Sequence, residues 1–416
     1  MHLVGKIQWH RFLTLLGVIS GSVLLPAPPS HAATIASWVE ITGPDTASIR
    51  AIIDSPSCPV LTADGGTLAM TLRAAPKPLY ERPADPQNTP KFTSLTCEAT
   101  IPPGTNTVLL DGEKLPLAAP AVNRIVVIGD TGCRYKVKEK KHHKFKIKQQ
   151  DCGSAVEWPF RAMAERAAAA KPDLVIHVGD YLYREPCPLA FTECRQDWAP
   201  GYGEDAWMAD FFTPSKALLK AAPWIMVRGN HENCARAGDG WFRYFHHDKP
   251  PAACDPFTAA FNARLGAANF LVLDSADAEG PNDSEDDEEA GGSPIQPDKI
   301  AFLKQSFTAA AAGAAPDTWL LSHRPFNAVR FKNTDKVDNT LLQQELGPAI
   351  PSGVQMIVSG HIHIFEALSF NDGPRHRPPQ LVVGTGGDEL GHEPGIPTQV
   401  NGAPVATQAA RLAKFG

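Results

Sequence analysis

The chain has 416 residues, more than one ordinary hydrophobic core holds, so two domains are expected. Hydrophobic residues at 43% and charged residues at 20% are the proportions of a soluble globular protein. A formal net charge of -6 argues against nucleic acid as a main partner.

Residues 1–33 read as a signal peptide. Lys6 and Arg11 give a positive start, Phe12 to Leu25 is apolar, and Ser30-His31-Ala32 ends in a small-x-small pattern, so cleavage is expected after Ala32 or Ala33. The apolar segment is short of the ~20 residues that span a bilayer. Export to the periplasm or the medium is expected, without a stable membrane anchor. The eight cysteines agree with an oxidising destination: none lies in a CxxC pair, and they fall in sequential couples. Among the many connectivities eight cysteines allow, 58–97, 133–152, 187–194 and 234–254 are the expected disulfides.

Residues 34–119 look all-β. SWVEIT, ASIRAIID, TLAMTLRA, FTSLTCEAT and NTVLLDG are short alternating runs separated by Pro and Gly clusters, as in a small sandwich of fibronectin III-like size. Leu115 to Val122 is the expected linker. From residue 123 to 416 strands alternate with helical stretches such as Val156–Ala170 and Asp298–Ala312, so a layered α/β domain is expected. The basic run Lys136 to Lys148 reads as a solvated loop, with a minority reading as a collar that attracts anionic substrate. The acidic, Gly-rich run 277–292 reads as a mobile surface loop. Gln380 to Glu389 reads as a strand ending in glycines, suited either to a tight turn or to close backbone approach to a bound group. The tail from Ala403 reads as weakly helical.

Within the second domain five apolar strands each end in a polar donor. RIVVIGD ends at Asp130. DLVIHVGDYLY presents Asp180 and, three residues on, Tyr183. WIMVRGNHE ends in Asn230, His231 and Glu232. TWLLSHRP delivers His323, and QMIVSGHIH delivers His361 and His363. Strand ends are where open α/β sheets place ligands. His361 and His363 would face one way on a regular strand, and a bend at Gly360 would let them serve neighbouring ions. Trp241, Tyr244, His246 and His247 read as ordinary packing.

Seven donors, Asp130, Asp180, Tyr183, Asn230, His323, His361 and His363, exceed what one tetrahedral zinc uses and suit two adjacent ions with a shared carboxylate. Mixed carboxylate, imidazole, amide and phenolate donors without thiolate suit iron, zinc or manganese. Two such cations ~3.5–4 Å apart promote in-line displacement at phosphorus.

The blocks GDTG at 129–132, GDYLY at 179–183, GNHE at 229–232, SH at 322–323 and GHIH at 360–363 resemble, in order and spacing, the five-block signature of calcineurin-like metallophosphoesterases. Asp-x-Gly in the first block and Gly-Asp-x-x-Tyr in the second resemble the purple acid phosphatase branch. The resemblance covers roughly residues 123–390. It implies a metallophosphoesterase sandwich of two mixed β-sheets flanked by helices, preceded by the small β-sandwich. Asp130, Asp180, Tyr183 and His363 would hold one ion, commonly ferric iron. Asp180, Asn230, His323 and His361 would hold the second, which is zinc, manganese or iron. His231 would face substrate and Glu232 would orient it. Arg324, by adjacency to His323, would contact phosphate.

The expected activity is hydrolysis of phosphomonoesters of small molecules by attack of a metal-bound hydroxide. A phosphodiesterase, or a nucleotide- or phytate-specific hydrolase, is the nearest variant. A metal-dependent phosphate-binding protein without turnover is the reading from another class, and His231 beside a full ligand set argues for turnover.

Overall fold

The structure is a computed structural model. It describes residues 33–82, 85–140, 144–194, 198–278, 297–329, 341–371, 377–391, 398–400 and 403–411. The expected signal peptide, apart from Ala33, and most of the acidic run lie outside the described residues.

The N-terminal strands are β1 (Ala33–Gly43), β2 (Thr46–Asp54), β3 (Val60–Ala63), β4 (Gly66–Ala69), β5 (Thr71–Ala74), β6 (Leu95–Thr100), β7 (Val108–Leu110) and β8 (Glu113–Lys114). Strands β5, β6, β2 and β1 face the four-stranded sheet β4-β3-β7-β8. Val39, Ile49, Ile53 and Cys97 from one side meet Leu61, Val108 and Leu110 from the other. Alternating apolar residues on short strands give each sheet one dry face, and two such faces close a small β domain. Its sheet does not end there. Strand β1 pairs in parallel with a strand of the following region at Glu40 and Trp224, so the chain boundary near residue 120 is not a sheet boundary.

The rest of the chain adds β9 (Ile125–Ile128), β10 (Tyr135–Lys140), β11 (Lys144–Gln149), α1 (Phe160–Ala169), β12 (Leu174–His177), α2 (Glu204–Trp207), α3 (Lys216–Leu219), β13 (Trp224–Met226) and α4 (Gly238–Tyr244). After these come β14 (Phe261–Leu265), β15 (Ala268–Leu273), α5 (Pro297–Ala312), β16 (Thr318–Ser322), α6 (Leu341–Glu345), β17 (Val354–Ser359), β18 (Phe365–Phe370), β19 (Gln380–Val383), β20 (Gln399–Val400) and β21 (Ala403–Arg411). Two large mixed sheets result among the described residues, β5-β6-β2-β1-β13-β12-β9 and β14-β15-β16-β17-β19-β18-β21-β20. Leu174, Ile176 and Ile225 from the first pack on Val272, Leu321 and Val358 from the second. Strands β9, β12 and β13 are mutually parallel, as are β15, β16, β17 and β19. Both faces of such strands are covered, which is why β12 opens on the apolar run Leu174-Val175-Ile176.

Helix α1 is alanine-rich and buries Phe160 and Ala164, one turn apart, before Lys171-Pro172 stops it. Helix α5 opens on a proline with Asp298 in its first turn and buries Leu303 and Phe307.

Two expectations are corrected. The tail is a strand, not a helix: β21 pairs antiparallel with β18 from Phe365–Arg411 to Phe370–Val405, so the hydrogen bonds of an open sheet edge outweigh the weak helical preference of its alanines. The basic run is a two-stranded hairpin, not a loop, because Tyr135, Val137, Phe145 and Ile147 alternate with its lysines at a strand's period of two. The four expected disulfides, Cys58–Cys97, Cys133–Cys152, Cys187–Cys194 and Cys234–Cys254, are all formed, leaving no free cysteine.

Candidate metal centre

The carboxyl ends of β9, β12, β13, β16 and β17 lead into loops that bring the seven donors together. The backbone is strained where it must turn sharply. Asp130, Asp180 and His361 have φ of 56°, 58° and 69°, a left-handed conformation uncommon for residues with a side chain. The bend that separates the GHIH histidines therefore falls at His361 itself. Gly179, at φ 102°, has no room for a Cβ, which would press on the His323 ring and on Gly229.

Tyr183 Oη lies 2.8 Å from Asp180 Oδ2, 3.2 Å from Asp130 Oδ1 and 2.9 Å from His363 Nε2. His363 Nε2 is 3.4 Å from Asp130 Oδ1. Asn230 Oδ1 lies 2.8 Å from His323 Nε2 and 2.9 Å from His361 Nδ1. His323 Nε2 is 3.3 Å from Asp180 Oδ2. One ligand atom each from Asp180, His323 and His361 lies within 4.8 Å of the others. Asp180 touches both groups of donors, as a shared carboxylate must. All seven are buried or, for His363, nearly so.

The proton inventory of this cluster calls for a cation. His323 Nδ1 faces the Val178 carbonyl at 2.8 Å, so it carries the N–H and Nε2 presents a lone pair to the lone pairs of Asn230 Oδ1 and Asp180 Oδ2. His363 Nδ1 faces the Glu389 carbonyl at 2.8 Å in the same way, which turns its Nε2 lone pair toward the Tyr183 hydroxyl. Tyr183 has one proton for three neighbouring acceptors. Lone pairs held this close repel unless a proton or a metal ion lies among them. Proton affinity responds accordingly. Burial opposes a charge on His323, yet the carboxylates of Asp180 and Asp130 outweigh it and raise the imidazole to about 9. His363 is raised against burial by Asp388 and Asp130. The carboxylate field that draws protons onto these rings equally draws metal ions, which would displace them.

His361 is set differently. The Arg324 guanidinium, 1% exposed, places Nη1 3.2 Å from His361 Nε2 and Nη2 3.5 Å from the Ala276 carbonyl. Arg324 is thus embedded beside His361. Glu232, expected to orient His231, has its carboxylate on backbone instead. Oε2 accepts the N–H of Asp180 (3.0 Å) and Gly229 (3.2 Å), and Oε1 those of Tyr181 (2.9 Å) and Leu182 (3.2 Å). It ties the loop after β12 to the loop after β13. His231 packs its ring 4.0 Å from that of Tyr183, and its backbone N–H donates to Asp180 Oδ1 at 2.9 Å.

Four contributors escaped the sequence reading. Arg134 ion-pairs with the buried Asp388 and lies 4.9 Å over the Tyr183 ring. Asp388 Oδ2 is 3.3 Å from His363 Nδ1. Asp210 accepts the Tyr183 N–H at 2.9 Å. Ser275 Oγ accepts the N–H of both His323 and Arg324. The glycines of the 380–389 stretch carried a partial signal: Gly386 and Asp388 donate to the carbonyls of Gly129 and Asp130, so this backbone does run against the first donor loop. His246 and the ring of Tyr244 pack in the interior, as expected.

A family model described as calcineurin-like phosphoesterase matches residues 123–365. No curated protein matches in sequence. Among solved structures, a purple acid phosphatase, PPD1, from yellow lupin (Lupinus luteus) seeds is similar, with a TM-score of 0.51 and 14% identity over 91% of this chain and 68% of that one. A structure of PhoD is similar with a TM-score of 0.49 and 13% identity over 86% of this chain and 78% of that one.

Proposed function

The chain belongs to the calcineurin-like phosphoesterase family, and on that premise we propose that it is an exported phosphatase that hydrolyses phosphomonoesters at a dinuclear metal centre. The observation that carries this is the convergence of seven donor side chains on Tyr183 Oη and Asn230 Oδ1, with Asp180 touching both groups. Asp130, Asp180, Tyr183 and His363 would hold one ion and Asp180, Asn230, His323 and His361 the other. When bound, such ions lower the pKa of water and offset the charge of phosphoryl oxygens.

The chain's own residues do the rest. Carbonyls of Val178 and Glu389 fix the tautomers of His323 and His363, so each presents Nε2. Asp388 and Arg134 hold the far side of His363 and the face of Tyr183. His231, packed on Tyr183, is the group positioned to give a proton to the leaving oxygen as the ester P–O bond breaks. Glu232 keeps the loops bearing Asp180 and Asn230 in register. Export is supported by four disulfides, which suit an oxidising compartment. Among the described residues no helix is long and apolar enough to cross a membrane.

The test is hydrolysis of p-nitrophenyl phosphate by purified protein, with elemental analysis and a visible spectrum. Two metals per chain, a tyrosinate absorption lost in Tyr183→Phe, and activity lost in Asp180→Asn are expected. A colourless, two-metal protein would remove iron from the assignment. Faster turnover of bis-p-nitrophenyl phosphate would make it a diesterase. Binding of phosphate without turnover of either ester would make it a binding protein.

A further inference from the structure

Strand β12 ends on a histidine. Leu174, Val175 and Ile176 are apolar, and His177 after them is just as fully enclosed. Its ring stacks on Tyr181 at 3.8 Å and lies edge-on to Phe211 at 5.6 Å. A phenylalanine would make those contacts, whereas a buried polar ring costs free energy unless its nitrogens find partners. Both do. Nδ1 accepts the Gly179 N–H at 3.2 Å, and Nε2 lies 2.9 Å from Thr131 Oγ1. Burial keeps the ring neutral against the pull of the Asp180 carboxylate. With Nδ1 an acceptor, Nε2 carries the proton and donates to the Thr131 hydroxyl.

Each partner lies beside a donor of the metal centre. Gly179 precedes Asp180 and begins the left-handed turn that presents it. Thr131 follows Asp130 and is fully buried. The backbones of the two loops run together, with the Asp130 N–H on the Gly179 carbonyl and the Thr131 N–H on the Asp180 carbonyl, both at 2.9 Å. The His177 ring adds a side-chain tie to that backbone pair. Glu232 ties the loop after β12 to the loop after β13, and His177 ties it to the loop after β9. The loop that carries the shared carboxylate is thus braced on both sides.

We propose that His177 and Thr131 are positioning residues of the metal centre, which set Asp130 against Asp180 for the ion on the Tyr183 side. The proposal rests on the dinuclear reading above. Of the two ions only that one uses Asp130. Loss of the tie therefore weakens one site and leaves the other, held through Glu232, as it was. A histidine that merely filled the core would affect both sites alike or neither.

In the experiment, the full-length protein is saturated with zinc and dialysed against stepped concentrations of dipicolinate, and zinc per chain is counted by elemental analysis. The parent is compared with Thr131→Val, His177→Phe and the two changes together. The parent is expected to release two ions. In each variant one release should move to about tenfold lower dipicolinate while the other stays at the parent's concentration. The double variant should be no worse than either single one, because a single tie joins the two residues. Thr131→Ser keeps the hydroxyl and should restore the parent's curve. Two unmoved releases in Thr131→Val overturn the proposal. So does an equal shift of both releases, which would show a general loosening of the fold, and so does a Thr131→Ser protein that behaves like Thr131→Val. Urea denaturation accompanies each variant, and if His177→Phe fails to fold, Thr131→Val, which keeps the side chain's shape, decides alone. A parent that holds no zinc overturns the metal-centre reading and the positioning role with it. Two ions in the parent with unmoved variants overturn the positioning role alone.

Discussion

Replacing Glu232 by Gln separates two accounts of this residue. Its carboxylate accepts four backbone N–H groups, two at each oxygen, from Gly229, Asp180, Tyr181 and Leu182. A glutamine keeps one oxygen and turns an NH2 group toward the other two donors. Two hydrogen bonds are then lost, and two buried N–H groups are left facing a donor. At about 1–3 kcal/mol for each buried group left unsatisfied, the loss is about 2–6 kcal/mol. That is a large share of the roughly 5–15 kcal/mol by which a domain is stable. The loops bearing Asp180 and Asn230 would also drift apart, so metal content should fall below two per chain before the protein unfolds. The assay is urea denaturation of the Gln variant beside the parent, with elemental analysis of each. A stability change below about 1 kcal/mol, with full metal content but depressed kcat, would refute the clamp and return Glu232 to orienting His231.

Arg50 is buried, with Nη1 on Glu40 (2.6 Å) and the Tyr244 carbonyl (2.7 Å) and Nη2 on the His246 carbonyl (2.7 Å). Arg50→Met strands Glu40 and the carboxyl end of α4, and denaturation should show a loss of about 3–5 kcal/mol. Stability should also fall as the medium is acidified. Burial first, then the charge of His247, pushes His246 down to about 2, and burial pushes His247 down to about 4 against the opposing charge of Asp248. Both stay neutral when folded while the unfolded chain takes up protons below an ordinary value near 6.5. Their contribution is thus complete above that value and lost below it, by about 2 kcal/mol for each by pH 5. Denaturation at pH 7.5 and pH 5 should show the slope, and His246→Gln/His247→Gln should flatten it. Cys133→Ser/Cys152→Ser opens a loop spanning a sequence separation of 19 next to Asp130. About 3 kcal/mol of stability should go with it, read as a lower melting temperature.

Much of the centre was legible in one dimension because its signal is local. A strand buried on both faces writes an unbroken apolar run, and the residue at its end is fixed by counting. Asp130, Asp180, Tyr183, Asn230, His323, His361 and His363 were all read that way. The disulfide couples were legible because each joins two cysteines that are consecutive in the sequence. Asp388 and Asp210 were not, since an isolated acid looks the same whether it braces a ligand or faces water. Glu232 was legible as a residue of the site but not in its role, which depends on where the backbone of another loop lies. The lysine hairpin was masked by its own composition. Seven lysines dominate the window, and only the cross-strand register shows that six of them share one face.

The amino-acid order by itself determined which side chains end the core strands, and hence the chemistry available, because burial and chain direction act within a few residues. Only the tertiary structure decided that β1 would join β13 and extend the sheet beyond the N-terminal β domain, and that β21 would close an edge as a strand. It alone decided that Glu232 would bind loops together. These outcomes depend on hydrogen bonds between segments far apart in sequence, and such a bond leaves no periodic trace in either partner.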